Sequence, residues 1–470
     1  MQDIMAILPL VATITGAILV MLAAAFESFR KEGISVLGIG LFAFAFFVQL
    51  TVENGPPIAP YETMFNGMLV TSTFTKVAGL IILGCGFFSA MASQTYFNQN
   101  EGFVLEHYCM MLFAASGMLL LTMAAELITL FIALEIMSLA IYTLIAADRR
   151  SVLRSEAVLK YLMLGAFAGA FFVMGSVFIY AGAQSTRFAD IGRVIEAGGF
   201  LTNPSLVGGS LLIVVALLFK AAAFPFHAWV VDVYDGAPVP VTGFMATAVK
   251  TAVFAVFANF LVINGQLQEG WMSYLFYISV LTMFVGNLIA IGQNSLKRML
   301  AASGIVHSGY LIIALVAINS EQFNGSTILF YLAAYAVSTL GIFAALSYLG
   351  GEGEKRHSFD DFNGLAKVRP YSAACIAIFL LSMAGIPPTA GFMGKFYIIA
   401  GAFKGGHITL GALGIVSSIL SMWYYLRLII AMYFREPEED FEVGELTLAP
   451  LGTFVLALAV FAISFIPVAI

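Results

Sequence analysis

Apolar residues run along this chain in long blocks, with neither strand-like alternation nor a sustained heptad. A helix crossing a bilayer needs about twenty such residues. Blocks of that kind lie near Ile4–Phe26, Ile34–Val52, Met68–Ala92, Val104–Met123, Glu126–Ala147, Ala157–Gly182 and Leu206–Val230. Seven more lie near Val241–Val262, Trp271–Gln293, Met299–Ile318, Gln322–Leu349, Tyr371–Phe403, Ile408–Phe434 and Leu446–Ala469. Almost nothing separates the fourth from the fifth. The first has no cationic stretch before it and no small-residue cleavage site after it, so it reads as a retained helix and not a signal peptide. The blocks predict an all-α polytopic membrane protein of about fourteen spans.

Composition narrows the function. Of 470 residues 61% are hydrophobic and 10% charged, where a soluble globular chain carries about 25% charged residues. A cytosolic enzyme and a disordered chain are excluded, and a net charge of −6 leaves no basic footprint for nucleic acid. Cys85, Cys109 and Cys375 stand singly in apolar runs and form neither a CxxC pair nor a zinc or iron–sulfur spacing, so they read as small buried hydrophobes. The longest polar stretch, Gly350 to Arg369, is too short for a dinucleotide-binding domain. The chain is therefore expected to hold no nicotinamide, flavin or metal itself.

Basic residues set the expected orientation. Connections that follow odd-numbered spans, with their margins, carry Arg30, Lys31, Arg149, Arg150, Arg154, Lys297, Arg298, Lys355, Arg356, Lys367, Arg369 and Arg435. The opposite connections carry only Arg187, Arg193 and Lys404. The first set belongs in the cytoplasm, which puts both termini outside.

Six basic residues remain inside apolar runs, Lys76, Lys160, Lys220, Lys250, Lys395 and Arg427, joined by Glu126, Glu135, His227 and His307. An ionisable group at the bilayer centre costs about 2.5–3.5 kcal/mol or more, so each needs either a function or an escape. Lys76, Lys160 and Arg427 are close enough to a span end to snorkel. Glu126 begins its helix, where a carboxylate complements the helix dipole, and His227 follows a helix break and reads equally well as a wall residue. Glu135, Lys220, Lys250 and Lys395 have no escape. They line a functional path, or they are ion pairs that hold the bundle together.

Two of these lysines sit beside helix breakers. Lys220 is five residues before Pro225, which removes the backbone bond to Ala221 and frees that carbonyl. Lys395 lies in MAGIPPTAGFMGKFY, where two prolines and three glycines interrupt the helix. Broken helices at membrane depth survive only where the backbone is buried in protein or lines a hydrated cavity. A lysine in a low-dielectric site holds its proton less tightly, and a carboxylate brought near reverses this. At about 7 Å and an effective dielectric near 20 that pair is worth roughly 2.4 kcal/mol. Glu135 approaching or leaving Lys220 is thus a means of loading and unloading a proton.

Interrupted helices in corresponding places point to an internal repeat. Lys220 and Lys395 are 175 residues apart, which pairs spans four to eight with spans nine to thirteen. Glu135 on span five then matches His307 on span ten, and span eight, with Lys250, matches span thirteen. An odd number of spans per unit forces the two units into opposite orientations. The expected divisions are residues 1–100, a first unit at 101–265, an inverted second unit at 266–436, and a last span at 437–470. Each broken helix would open a half-channel from one side, bridged at the midplane by Lys220, Lys250 and His307.

The stretch FKAAAFPFHAWVVDVYDGAPVPVTGFMATAVKTAVF, Phe219 to Phe254, together with LLSMAGIPPTAGFMGKFYI, Leu380 to Ile398, resembles the signature of the antiporter-like proton-channel family. That family comprises the large membrane subunits of respiratory complex I and related subunits of multisubunit sodium/proton antiporters. Within it the chain most resembles the subunit N branch of bacterial NADH–quinone oxidoreductase. Lys395 stands where the subunit M branch carries a glutamate, and the long lateral extension of the subunit L branch is missing.

The resemblance implies proton translocation, with roles for Glu135, Lys220, Lys250 and Lys395, for Lys160 as a further basic residue on span six, and for His307 at a variable polar linker position. It implies that NADH, FMN, iron–sulfur clusters and quinone are held by partner subunits. The implied neighbours are subunits M, K, J and A and the lateral helix of subunit L, in a bacterial inner membrane with both termini periplasmic. A sodium/proton antiporter subunit without redox coupling is the alternative.

Overall fold

The structure is a computed structural model that describes residues 2–26, 31–52, 62–100, 105–147, 152–198, 200–263, 265–317, 325–437 and 448–466. Arg30, Arg149 and Arg150, counted in the orientation argument, lie outside the described residues. Three helices open the fold: α1 (Gln2–Ala24), α2 (Lys31–Thr51) and α3 (Thr73–Gln99). Between the last two a short hairpin pairs β1 (Glu62–Met64) with β2 (Leu69–Thr71). Residues 69–71, expected to begin the third span, are thus a strand. The helix starts only after Ser72, whose hydroxyl accepts from the Thr75 N–H in a reciprocal capping box.

α4 (His107–Met123), α5 (Leu127–Ala146) and α6 (Val152–Ala183) follow. The amphipathic α7 (Phe188–Gly198) comes next, a short helix the apolar blocks did not foretell. The seventh span is broken into α8 (Pro204–Lys220) and α9 (Val230–Gly236), so it runs past the Val230 boundary expected of it. The eighth combines α10 (Val239–Phe244), a π turn at Met245–Val249 and α11 (Lys250–Ile263). Then come α12 (Gly265–Ile291), α13 (Leu296–Ala317) and α14 (Ser326–Leu349). A short α15 (Leu365–Val368) leads into a second broken span, α16 (Pro370–Ala384) and α17 (Ala390–Lys404). α18 (Ile408–Phe434) and α19 (Leu448–Ser464) close the chain.

Among the described residues ten helices are long and apolar enough to cross a membrane, and four shorter apolar ones complete fourteen spans. Burial separates their roles. α13 is buried along its length save for Arg298, and every residue from Val239 to Leu261 is buried. By contrast α6 exposes Leu159, Met163, Phe167 and Phe171, an apolar face suited to lipid or a partner subunit. The buried central helices are the ones that carry Lys250 and His307.

Candidate functional site

Both broken spans end their first half in the same way. Beyond α8, Ala222 takes a φ of 59° and the Ala223 N–H donates to the Leu218 carbonyl at 3.0 Å. Beyond α16, Gly385 takes a φ of 83° and the Ile386 N–H donates to Leu381 at 3.0 Å. Each is a six-to-one closure around a left-handed residue, and the two closures are 163 residues apart. The register of 175 expected from the lysines therefore does not hold for the backbone. Lys220 lies in the last turn of α8, before its break, whereas Lys395 lies in α17, after its own. The position in the first span that corresponds to Lys395 is Asp232.

The freed carbonyl expected at Ala221 is present and occupied. Ser308 on α13 donates its hydroxyl to it at 2.6 Å. Trp229 donates its indole N–H to the neighbouring Phe219 carbonyl at 3.2 Å. The Lys220 ammonium donates to Ser138 of α5 at 2.7 Å and lies 5.5–5.9 Å from the ring centroids of Tyr161, Tyr142 and Phe219. Gly165 on α6 leaves room for that arrangement, since a Cβ there would stand 2.0 Å from the Tyr142 hydroxyl.

Lys250, the first residue after the π turn, reaches α13 from the other side. Its ammonium donates to the Gly304 carbonyl and to the Ser308 hydroxyl, the latter at 2.9 Å, with the Tyr335 ring centroid at 5.1 Å. Ser308 thus joins the break of the seventh span to Lys250. One residue away, His307 shares its two ring nitrogens with the hydroxyls of Tyr331 (2.7 Å) and Tyr425 (3.2 Å), and its ring lies 4.7 Å from that of Tyr335. A small cavity with room for about one water lies against His307, Tyr335, Ser338, Ser382 and Lys395. At its far side the Lys395 ammonium donates to the Ala384 carbonyl at 3.1 Å and to Ser418 at 3.0 Å, below the Tyr310 ring at 5.2 Å.

Lys220, Lys250 and Lys395 are 5–8% exposed. None has a carboxylate within ion-pair distance among the described residues; their partners are hydroxyls, carbonyls and ring faces. The ion-pair alternative therefore finds no support at these three positions. An ammonium held by neutral acceptors can release its proton without leaving an unpaired buried carboxylate behind, which is what a relay requires.

The other expected residues fall elsewhere. Glu135 is half-buried on α5, one turn before Ser138, with Oε1 beside Gly169 of α6. It is near Lys220 but not bonded to it. Lys160 is not on the buried line: it is partly exposed and pairs with Glu156 and Asp232, each at 2.8 Å. His227 sits half-buried in the break of the seventh span, stacked on Phe224 at 5.5 Å. The sequence did not single out Ser138, Ser308, Ser418 or the tyrosines 310, 331, 335 and 425. The three cysteines are buried and separate, and no three His, Cys, Asp or Glu side chains converge among the described residues.

The profile of the family described as NADH:quinone oxidoreductase/Mrp antiporter, TM matches residues 124–421. NADH-quinone oxidoreductase subunit N of Trichlorobacter lovleyi is 38% identical over 399 residues, covering 85% of this chain and 81% of the relative. The protein of the same name from Chloroflexus aggregans is 37% identical over 469 residues, covering 97% and 94%. A chain of respiratory complex I from Thermus thermophilus with bound aureothin superposes with a TM-score of 0.81 at 30% identity, over 97% of this chain and 96% of that one. A chain of the Mrp complex from Dietzia sp. DQ12-45-1b gives 0.82 at 17% identity, over 98% and 94%, a likeness of fold alone. The chain belongs to the NADH:quinone oxidoreductase/Mrp antiporter transmembrane family.

Proposed function

We propose that the chain is a proton-translocating membrane-arm subunit of an NADH–quinone oxidoreductase. The observation that carries this reading is the row of three buried lysines with no carboxylate at ion-pair distance among the described residues, set around Ser308, His307 and a tyrosine cluster. In this reading Lys220 takes up the proton, Lys250 and His307 pass it along the centre, and Lys395 delivers it. Glu135 sets the charge state of Lys220 from the side, while Lys160 and His227 stand at the margins. Residues 101–265 and 266–436 act as two inverted units between the N-terminal segment 1–100 and the last span at 437–470.

NADH oxidation with FMN and iron–sulfur clusters, and quinone reduction, belong to partner subunits. Those in contact would be the antiporter-like subunit M, the small subunits K, J and A, and the lateral helix of subunit L. The membrane would be a bacterial inner membrane, with both termini periplasmic. Lys220→Ala and Glu135→Ala should each strongly lower NADH-driven proton pumping and coupled quinone turnover in vesicles; normal pumping in both would sink the reading. A sodium/proton antiporter subunit would use the same lysines. Identities of 37–38% to proteins named subunit N favour the redox-coupled reading. Purification decides between them, since flavin and iron–sulfur subunits should accompany the chain.

A further inference from the structure

A strap of polar contacts lies at one end of α13, outside the line of lysines. Lys297 and Arg298 occupy the first turn of that helix, where the positive end of the helix dipole disfavours cations. Each is compensated by acids from other segments. Arg298 donates to Asp232 at 3.0 Å and to Asp235 at 3.4 Å. Lys297 donates to Glu354 at 2.8 Å and to the Ala237 carbonyl at 2.8 Å.

Glu354 belongs to the loop between α14 and α15. It holds a φ of 53° between glycines 351 and 353 and the turn to Arg356, a left-handed conformation uncommon for a residue with a side chain. The same loop grips α13 twice more: the Leu296 N–H donates to the His357 carbonyl at 2.7 Å, and Ser295 bridges to Ser358. On its other side the loop is anchored to α3. Tyr96 donates to Glu354 at 2.5 Å, and Asn100 accepts from the Gly353 N–H at 2.7 Å. Arg154 at the start of α6 donates to the Tyr96 hydroxyl at 3.1 Å.

What α13 carries at its middle gives the strap its meaning. Both groups that hold the Lys250 ammonium, the Gly304 carbonyl and the Ser308 hydroxyl, are on α13, and so is His307. From Lys297 to Ser308 is about 16 Å at 1.5 Å per residue, through a helix buried almost throughout. A buried helix moves as a rod, so a slip of about 1 Å at Lys297 reaches Ser308 undiminished. That is enough to stretch a 2.9 Å bond beyond hydrogen-bonding range.

The geometry points to Glu354 as a positioning residue: through Lys297 it fixes the axial position of α13 and thereby the acceptors that hold Lys250. The inference rests on the proposed role of Lys250 and extends it to a loop outside the membrane. The test is Glu354→Gln in the assembled complex in vesicles, with NADH-driven pumping measured across neutral pH. The groups facing Glu354 are Lys297 and Tyr96, with Arg154 behind; those facing Lys250 are Ser308, Gly304 and Tyr335, with His307 within electrostatic reach.

Assembly at the native level, pumping lowered by about fivefold or more, a displaced pH profile and recovery in Glu354→Asp are expected. A merely structural role would lower the yield without moving the profile. Native pumping with an unmoved profile overturns the inference. If Glu354→Gln fails to assemble, Tyr96→Phe decides instead, since it removes the bond that anchors Glu354 to α3 and so loosens the point from which Lys297 is held; an unmoved profile there also overturns it. Lys250→Ala is measured alongside. If it pumps normally, the lysine reading fails; if it does not, and Glu354→Gln is native, only the strap fails.

Discussion

Ser308→Ala removes one hydroxyl that does two things. In the native chain it donates to the Ala221 carbonyl at 2.6 Å and accepts from the Lys250 ammonium at 2.9 Å. A buried carbonyl left without a partner costs about 1–3 kcal/mol, and a hydrogen bond to a charged group is worth about 1.5–3 kcal/mol. The first cost falls on the break of the seventh span, which gains no other described donor at that carbonyl. The second falls on Lys250, which keeps only the Gly304 carbonyl and the Tyr335 face. At 1.4 kcal/mol per tenfold, the loss at Lys250 alone changes the equilibrium it serves by about ten- to a hundredfold. NADH-driven acidification of vesicles should fall by about tenfold or more, with thermal unfolding of the solubilised complex only moderately earlier. Ser308→Thr, which keeps a hydroxyl, should recover most of the rate. Pumping at the native rate in Ser308→Ala would refute the claim that this hydroxyl couples the break of the seventh span to Lys250.

Three further outcomes follow from the same geometry. Gly391→Ala should abolish assembly, since its Cβ would stand 1.9 Å from the Ser382 carbonyl oxygen, and backbone at the second break cannot yield that far; native yield on a gel would contradict this. Lys160→Met should lower pumping far less than Lys220→Ala, because Lys160 sits in a partly exposed pair with Glu156 and Asp232; equal losses in the two variants would place it on the path after all. Burial acts to raise the Glu354 carboxyl, but Lys297 and Tyr96 outweigh it and hold the group below its ordinary 4.5. The strap's contribution is therefore complete above that value and is lost as pH falls through the lower folded one. Amide protection at residues 353–358, taken against the intrinsic exchange rate at the same pH, should stay high at neutral pH and fall only in acid; protection already lost near neutrality would count against the pairing.

What could be read from the sequence was what is rare in it. Lysines are scarce in apolar runs, and prolines with glycines mark a break wherever they cluster, so Lys220, Lys250, Lys395 and both interruptions were legible. Ser308 and Ser138 were not, because a serine in an apolar helix ordinarily satisfies itself on the carbonyl four residues back, as Ser93 and Ser338 do here; Ser308 also shares such a bond with Gly304, at 3.2 Å, beside its contacts to Ala221 and Lys250. The tyrosines around His307 were counted among hydrophobic residues, and nothing in their spacing shows that four of them face one histidine. Residues 69–71 read as helix because their apolar run continues into α3; only the hairpin partner at 62–64 makes them a strand.

The lysine register misled for a physical reason that also explains the site. Lys220 and Lys395 are not at corresponding residues, yet both attach to the break of their own span. Lys220 belongs to the last turn of α8, and the Lys395 ammonium folds back to the carbonyl of Ala384, the last residue of α16. The Lys395 charge therefore sits at the C-terminal end of the first half of its broken helix, where terminal carbonyls carry a partial negative charge, whereas the Lys220 ammonium turns to Ser138 of α5. The breaks thus do more than make room. At a depth where water is scarce they supply carbonyls that favour a cation without fixing it as a carboxylate would. The Ala221 carbonyl holds Ser308, which holds Lys250, and the Ala384 carbonyl holds Lys395 and Ser418.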